Sequence, residues 1–197
     1  MTFEIIERTL ALHRPRTLAE SEGVPAAVSL VLAPDADGLQ VLFIERATHA
    51  DDPWSGNVGF PGGKMETEDA DLQQTAVRET REEVGIDLHK ARYLGRLSDV
   101  GGPRLRVRVS CFVYGLDKIA DLRCSNEVKD AFWVPLEALL DPARHVEAAV
   151  KFDDRSFTRP SFKLPQDGKP PLWGLTYRLI RQFLEILPAR HPQDGPA

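Results

Sequence analysis

The chain has 197 residues and a mass of 22.0 kDa, with 42% hydrophobic residues and a net charge of −5. That length makes one domain the default and that composition supplies a core, while an acidic balance with pI about 5.6 excludes nucleic acid or an anionic membrane surface as the main partner. Two cysteines, Cys111 and Cys124, are too few for a disulfide framework and read as buried free thiols in a reducing cytosol; no run approaches the roughly 18 apolar residues of a membrane span, and the acidic start with its short apolar run does not read as a secretory signal, so a cytoplasmic location is expected.

Phe3, Ile6 and Leu10 are helix-spaced, and Pro15 ends that short helix. Residues 1–25 are a lead-in, 26–187 the domain, and 188–197, rich in proline, a flexible tail. Ala26 to Leu32 reads as a buried strand, Asp35-Ala36-Asp37-Gly38 as a turn, and Leu39 to Ile44 as the returning strand. Val58 to Phe60 is a brief strand leading into Pro61-Gly62-Gly63. A helix starts near Asp69 or Asp71, either of which suits an N-cap, turns Leu72, Ala76 and Val84 to the core, and closes at Gly85. Tyr93 to Leu97 and Leu105 to Tyr114 read as strands around a Gly101-Gly102-Pro103 turn; Ala131 to Val134 is another, and Pro135 opens a short helix through Leu140. Val146 to Phe152 and Ser156 to Lys163 suggest a hairpin, and Leu175, Leu179, Ile180, Phe183, Leu184 and Leu187 form one stripe of a last helix. Mixed strands with helices before, between and after them predict an α/β/α sandwich on a mixed sheet.

The chemistry concentrates between Gly62 and Ile86. Glu79, Glu82 and Glu83 are spaced i, i+3 and i+4, so a helix places them on one face. Three such carboxylates repel one another unless a cation sits among them, and oxygen-only ligands suit a hard ion such as Mg²⁺ or Mn²⁺. Gly62-Gly63 lets backbone approach whatever that metal holds. A solvated acidic face is the bland alternative, and Arg81 within it would fit. It does not account for the glycine pair, Gly85 and the arginine preceding Glu79 together.

These residues resemble the Nudix box, G-x5-E-x7-R-E-U-x-E-E-x-G-U with U aliphatic. Arg78, Glu79, Glu82, Glu83, Gly85 and Ile86 match its second half. Gly63 lies one residue too far from Arg78, so the first acid has no unique match: Asp69 keeps the distance from Gly63, and Asp71 is the better-spaced acid on the helix. Thr80 stands at the first aliphatic position. Phe60 to Lys64, the inserted residue and Trp173-Gly174-Leu175-Thr176 resemble the coenzyme A pyrophosphatase branch, and the likeness runs from about Ala26 to Leu187.

The resemblance implies a Nudix-type α/β/α sandwich and a hydrolase that splits a nucleoside diphosphate linked to another moiety. Coenzyme A or its acyl derivatives are the first expectation. The segment Arg46 to Asn57 lacks the Leu-Arg-x-His-x-Gly-Gln run of that branch, which keeps ADP-ribose and NADH as alternatives. A catalytically silent nucleotide-binding module is the rival class. The resemblance further implies Glu79, Glu82 and Glu83 as ligands of Mg²⁺ or Mn²⁺, with Glu82 and Glu83 in the catalytic set and the carbonyl of Gly62 or Gly63 completing the shell.

Arg78 either binds phosphate or braces the loop through Asp69 or Asp71; its place beside Glu79 turns it about 100° off the acidic face. Glu127 is a candidate general base or a solvated loop acid, with His49 second. Arg46 and Gly62 are further substrate-binding candidates. Arg104, Arg106 and Arg108 alternate along one face of a strand and either meet an anionic substrate such as a 3′-phosphate or blunt an edge. Trp54, Phe60, Phe157, Phe162 and Trp173 are aromatics open to base stacking or to the core. The expected partner is a small-molecule nucleotide, and a homodimer is compatible with the chain.

Overall fold

A computed structural model describes residues 1–19, 23–48, 54–102, 106–152 and 155–188. His49, Arg104 and the tail from residue 189 lie outside the described residues. In chain order the elements are α1 (Phe3–Leu12), β1 (Val24–Asp35), β2 (Gly38–Arg46), β3 (Val58–Gly59), β4 (Gly62–Lys64), α2 (Leu72–Val84), β5 (Arg92–Arg96), β6 (Val100–Gly102), β7 (Val107–Gly115), β8 (Val128–Pro135), α3 (Leu136–Leu140), β9 (His145–Phe152), β10 (Arg155–Phe162), β11 (Leu172–Trp173) and α4 (Gly174–Ile186).

The near-continuous apolar run of β1 is buried on both sides, as a central strand requires. It pairs in parallel with β7 and antiparallel with β2. The main sheet runs β3-β2-β1-β7-β5, with β4 added to β1, β6 to β7 and β8 to β2. Alternation then divides the core. Ala27, Val31, Leu42, Ile44 and Phe112 face α2 through Ala76, Val77 and Val84. Leu30, Leu32, Phe43, Cys111 and Val113 face the other way, onto Ile6 and Leu10 of α1 and Leu179, Ile180 and Phe183 of α4. The result is the α/β/α sandwich that the pattern predicts.

One irregularity builds the site. Leu32 to Asp35 of β1 pair with β2, but Ala26 to Val28 pair with β4, while the far end of β2 pairs with β3 at Ile44 and Glu45. β1 and β2 therefore fork, and the Phe60-Pro61 corner enters the gap, where the Ser29 N–H donates to the Pro61 carbonyl (2.9 Å). Gly62 and Gly63 follow at the mouth of the fork.

Three local expectations are corrected, and one small sheet is found apart from the main one. Gly62–Lys64 is a strand, because its backbone completes the open edge of β1. Gly101 and Gly102 are a strand as well, paired with Arg108 and Val107. Trp173 is paired with Ser161 in a separate sheet of β11, β10 and β9. Cys124 is exposed; only Cys111 is buried, and that burial raises its thiol pKa strongly.

Candidate active site

The helix that carries the acids is fixed at both ends by its own sequence. Asp71 is the N-cap of α2, accepting from the Gln74 N–H at 2.8 Å, and Gly85 ends it in the left-handed conformation (φ 77°). Asp69 has a different task. Arg78 Nε and Nη2 donate to Asp69 Oδ1 and Oδ2 at 2.9 and 3.0 Å, a bidentate pair. The Asp69 side chain is only 4% exposed and also accepts from the Glu66 N–H and the Thr75 hydroxyl, both at 2.9 Å. The Arg78 guanidinium beside it holds the Asp69 carboxyl well below the usual carboxylate range, against the opposing effect of burial. Asp71 has no part in this brace.

Arg78 does not turn away from the acidic face. Its Nη1 donates to Glu79 Oε1 and Glu82 Oε2, each at 3.0 Å, and Nη2 reaches the Lys64 carbonyl at 3.2 Å. The helical offset of about 100° holds for the Cα positions, but a four-bond arm bends back across it. Arg78 thus ties the Asp69 loop, β4 and two of the three glutamates together.

The third glutamate is deepest. Glu83 is 2% exposed, accepts from the Gly62 N–H at 2.8 Å, and has Arg46 Nη1 at 3.7 Å. Burial pushes its carboxyl up to about 8, opposed by the Gly62 N–H and Arg46 and reinforced by the charges of Glu79 and Glu127. Burial also raises Glu79, which Arg78 partly offsets. Glu127 follows the turn into β8, where its carbonyl accepts from the Ala47 N–H, and its charge is felt by both buried acids. The Glu82 side chain is 59% exposed.

The two glycines are required by these contacts. Gly62 sits at φ 150°, and a Cβ there would lie 2.2 Å from the Ala27 carbonyl oxygen; a Cβ on Gly63 would lie 2.4 Å from Glu79 Oε1. Glu79 therefore packs directly onto the Gly63 backbone.

A divalent cation suits this donor set. A carboxylate buried with its like-charged neighbours is costly unless a cation offsets it, and the donors are all oxygen, the preference of Mg²⁺ and Mn²⁺. Glu79 and Glu83 are the residues that would hold it, with Glu82 at the exposed margin. Among the described residues no three acidic, His or Cys side chains already converge on one point, and Glu82 and Glu79 are held by Arg78.

A cavity of about 530 Å³ opens at Gly62 and Gly63, the residues that contact Glu83 and Glu79, although none of the three glutamates lines it. Arg46, Gly62, Gly63 and Lys64 line one part; Val28, Phe60, Val107, Val109 and Leu179 give apolar wall; Trp54, Asn57 and Trp173 also border it. Arg106 and Arg108 do not line it. Val107 and Val109 take the cavity face of β7, so Arg108 lies on the other, where Nη1 donates to the Leu18 carbonyl at 3.2 Å. Arg106 is exposed in the turn before β7. The expected arginine face therefore does not meet the cavity through its described members. Of the aromatics, Trp54, Phe60 and Trp173 border the cavity, Phe162 is core, and Phe157 does not line it.

Two features were not legible beforehand. Thr80, at an aliphatic motif position, is fully buried, and its hydroxyl lies 2.9 Å from that of Ser29 and 2.7 Å from the Ala76 carbonyl, which Ser29 also approaches at 3.1 Å. A small polar pair between α2 and β1 replaces an apolar contact. Phe152, on β9, packs on Trp54 with ring centroids 4.8 Å apart; no sequence signal links the two.

A NUDIX domain model matches residues 23–155. The chain belongs to the NUDIX domain family. Mouse mitochondrial coenzyme A diphosphatase NUDT8 is 31% identical over 191 residues, covering 93% of this chain and 85% of that protein. Human mitochondrial coenzyme A diphosphatase NUDT8 is 31% identical over 149 residues, covering 75% of this chain and 62% of its own length. The chain spans between 33% and 62% of the length of three of the curated relatives it matches. In fold it is similar to RenU, a Nudix hydrolase from M. smegmatis, with a TM-score of 0.55 at 16% identity over 91% of this chain and 99% of that one. No helix among the described residues is long and apolar enough to cross a membrane.

Proposed function

We propose that the chain is a divalent-metal-dependent pyrophosphohydrolase that cleaves a nucleoside diphosphate linked to another moiety, with coenzyme A and its derivatives as the first substrate class. The observation that carries this is Glu83: a nearly inaccessible carboxylate, one helical turn from Glu79, that accepts from the Gly62 N–H and faces Arg46, two residues that line the cavity. The relatives named as coenzyme A diphosphatases support the substrate class. The departure of residues 46–57 from that branch keeps ADP-ribose and NADH-type dinucleotides as the alternative.

Mg²⁺ or Mn²⁺, held by Glu79, Glu83 and Glu82, would neutralise phosphate oxygens and acidify a bound water. The protein's own groups do the rest. Arg46 binds the anionic phosphates with a fork of donors. Glu127 takes the proton of the water whose oxygen attacks phosphorus, and the P–O bond to the leaving phosphate breaks. Arg78 keeps Glu79 and Glu82 in place through Asp69. The apolar walls of the cavity receive the linked group and keep bulk water from it.

The test is a panel of coenzyme A, ADP-ribose, NADH and diadenosine polyphosphates with Mg²⁺ and with Mn²⁺, products resolved by chromatography. Metal-dependent release of two phosphate monoesters from coenzyme A is the expected result. Faster cleavage of ADP-ribose or NADH would move the substrate to the alternative, and no turnover of any compound would leave a silent binding module.

A further inference from the structure

Asn57 is locked from three sides. Its N–H donates to the Trp54 carbonyl and its carbonyl accepts from the Arg46 N–H, both at 3.0 Å. Its side-chain Oδ1 accepts from Trp173 Nε1–H at 2.8 Å. An indole N–H only donates, so the oxygen of the amide must be the atom at Trp173 and the NH₂ must be the other. That Nδ2 is buried and has no hydrogen-bond partner among the described residues. Asn57 borders the cavity. Buried donors are almost always paired, and an orphan asks for a partner that has yet to arrive.

The surroundings narrow what that partner is. Trp54 and Trp173 are in contact, with centroids 5.9 Å apart, and Phe152 packs on both at 4.8 and 6.2 Å. Trp173, which orients the amide, lies beyond the segment matched by the family model. An uncharged donor beside aromatic walls selects a flat neutral group with an acceptor atom, while the guanidinium of Arg46, beside Glu83 on the adjoining strand, suits phosphate.

Resting on the pyrophosphohydrolase reading, we propose that Asn57 is a specificity-determining residue whose Nδ2–H donates to a neutral acceptor on the substrate, a nucleobase ring nitrogen or an amide carbonyl, packed against Trp54 and Trp173. A site built around such a bond rejects an analogue that cannot make it, because the buried amide is then left unpaired.

Isothermal titration with AMP and with 4′-phosphopantetheine, each with Mg²⁺, separates the two sources, since neither contains an anhydride to cleave. Asn57→Asp keeps the acceptor for Trp173 and replaces the donor with an oxygen. It should weaken the half that uses Asn57 by about tenfold or more and leave the other half within about twofold. Trp173→Phe removes the indole donor together with part of the ring that packs on Trp54 and Phe152, and should weaken the same half several-fold by freeing the amide to rotate; it carries the test alone should Asn57→Asp fail to fold. Wild-type affinity in the variants, an equal loss on both halves, or no binding of either half by the wild type overturns the proposal. These readouts are of binding alone, so a failure of hydrolysis with selective binding intact would sink the enzyme reading and spare this one.

Discussion

Replacing Arg78 with alanine is the sharpest test of how the acidic face is built. In the folded chain Arg78 makes two bonds to a carboxylate whose side chain is 4% exposed, and one each to Glu79 and Glu82. Removing one partner of a buried ion pair costs about 3–5 kcal/mol. Asp69 keeps the Glu66 N–H and the Thr75 hydroxyl, so the low end, about 3 kcal/mol, is expected for Arg78→Ala. For a chain of this size that lowers Tm by about 6–12 °C. The loss of the tether on Glu79 and Glu82 should also weaken metal binding or turnover by about 10- to 100-fold. Differential scanning calorimetry, Mg²⁺ titration and steady-state kinetics on Arg78→Ala, Asp69→Asn and the double variant measure all three, and the double variant should be much less than additive. The pH dependence has a definite sign. The Asp69 carboxyl is lowered in the folded state, so its contribution is fully present above the unfolded carboxylate pKa and is lost only as pH falls through the lower folded value. The Tm gap between wild type and Arg78→Ala should therefore be flat from neutral pH down to about 5 and close only in strong acid. An unchanged Tm with a large rise in KM would refute the brace and make Arg78 a phosphate ligand.

Glu83→Gln keeps an acceptor for the Gly62 N–H but removes the buried charge, so turnover should fall by a factor on the order of 10² or more. The metal-induced rise in Tm should vanish with it, and chelator should abolish wild-type hydrolysis until Mg²⁺ or Mn²⁺ returns; near-normal turnover in this variant would sink the metal assignment. Gly62→Ala and Gly63→Ala should separate. The first forces a Cβ onto backbone at an unfavourable φ and should cost about 2–5 kcal/mol of stability. The second meets only the movable end of Glu79; it should change stability by under about 1 kcal/mol and lower metal affinity about 10- to 100-fold. Equal stability losses in the two would contradict the close approach of Glu79 to Gly63.

The sequence by itself determined the helix of the acids and its Gly85 end, the buried β1 and β2, and the stripe of α4, because each is written in local spacing or a local stop signal; the choice of Asp71 over Asp69 as the N-cap came from the structure. The glutamates at 79, 82 and 83 were legible for the same reason. Only the tertiary structure decided which acid braces Arg78: Asp71 is nearer along the chain than Asp69, yet the partner is Asp69, the one whose side chain the loop buries. The sequence leaves the role of Arg106 and Arg108 open, because periodicity defines two faces of a strand and does not say which one a cavity takes. Thr80 departs from the aliphatic motif position because its hydroxyl pairs with that of Ser29 on β1, a contact across 51 residues that local sequence does not show. Asn57, Trp54, Phe152 and Trp173 come from separate parts of the chain; their meeting depends on the fork between β1 and β2 and on the small sheet beyond it, and contacts of that separation leave no mark in local sequence.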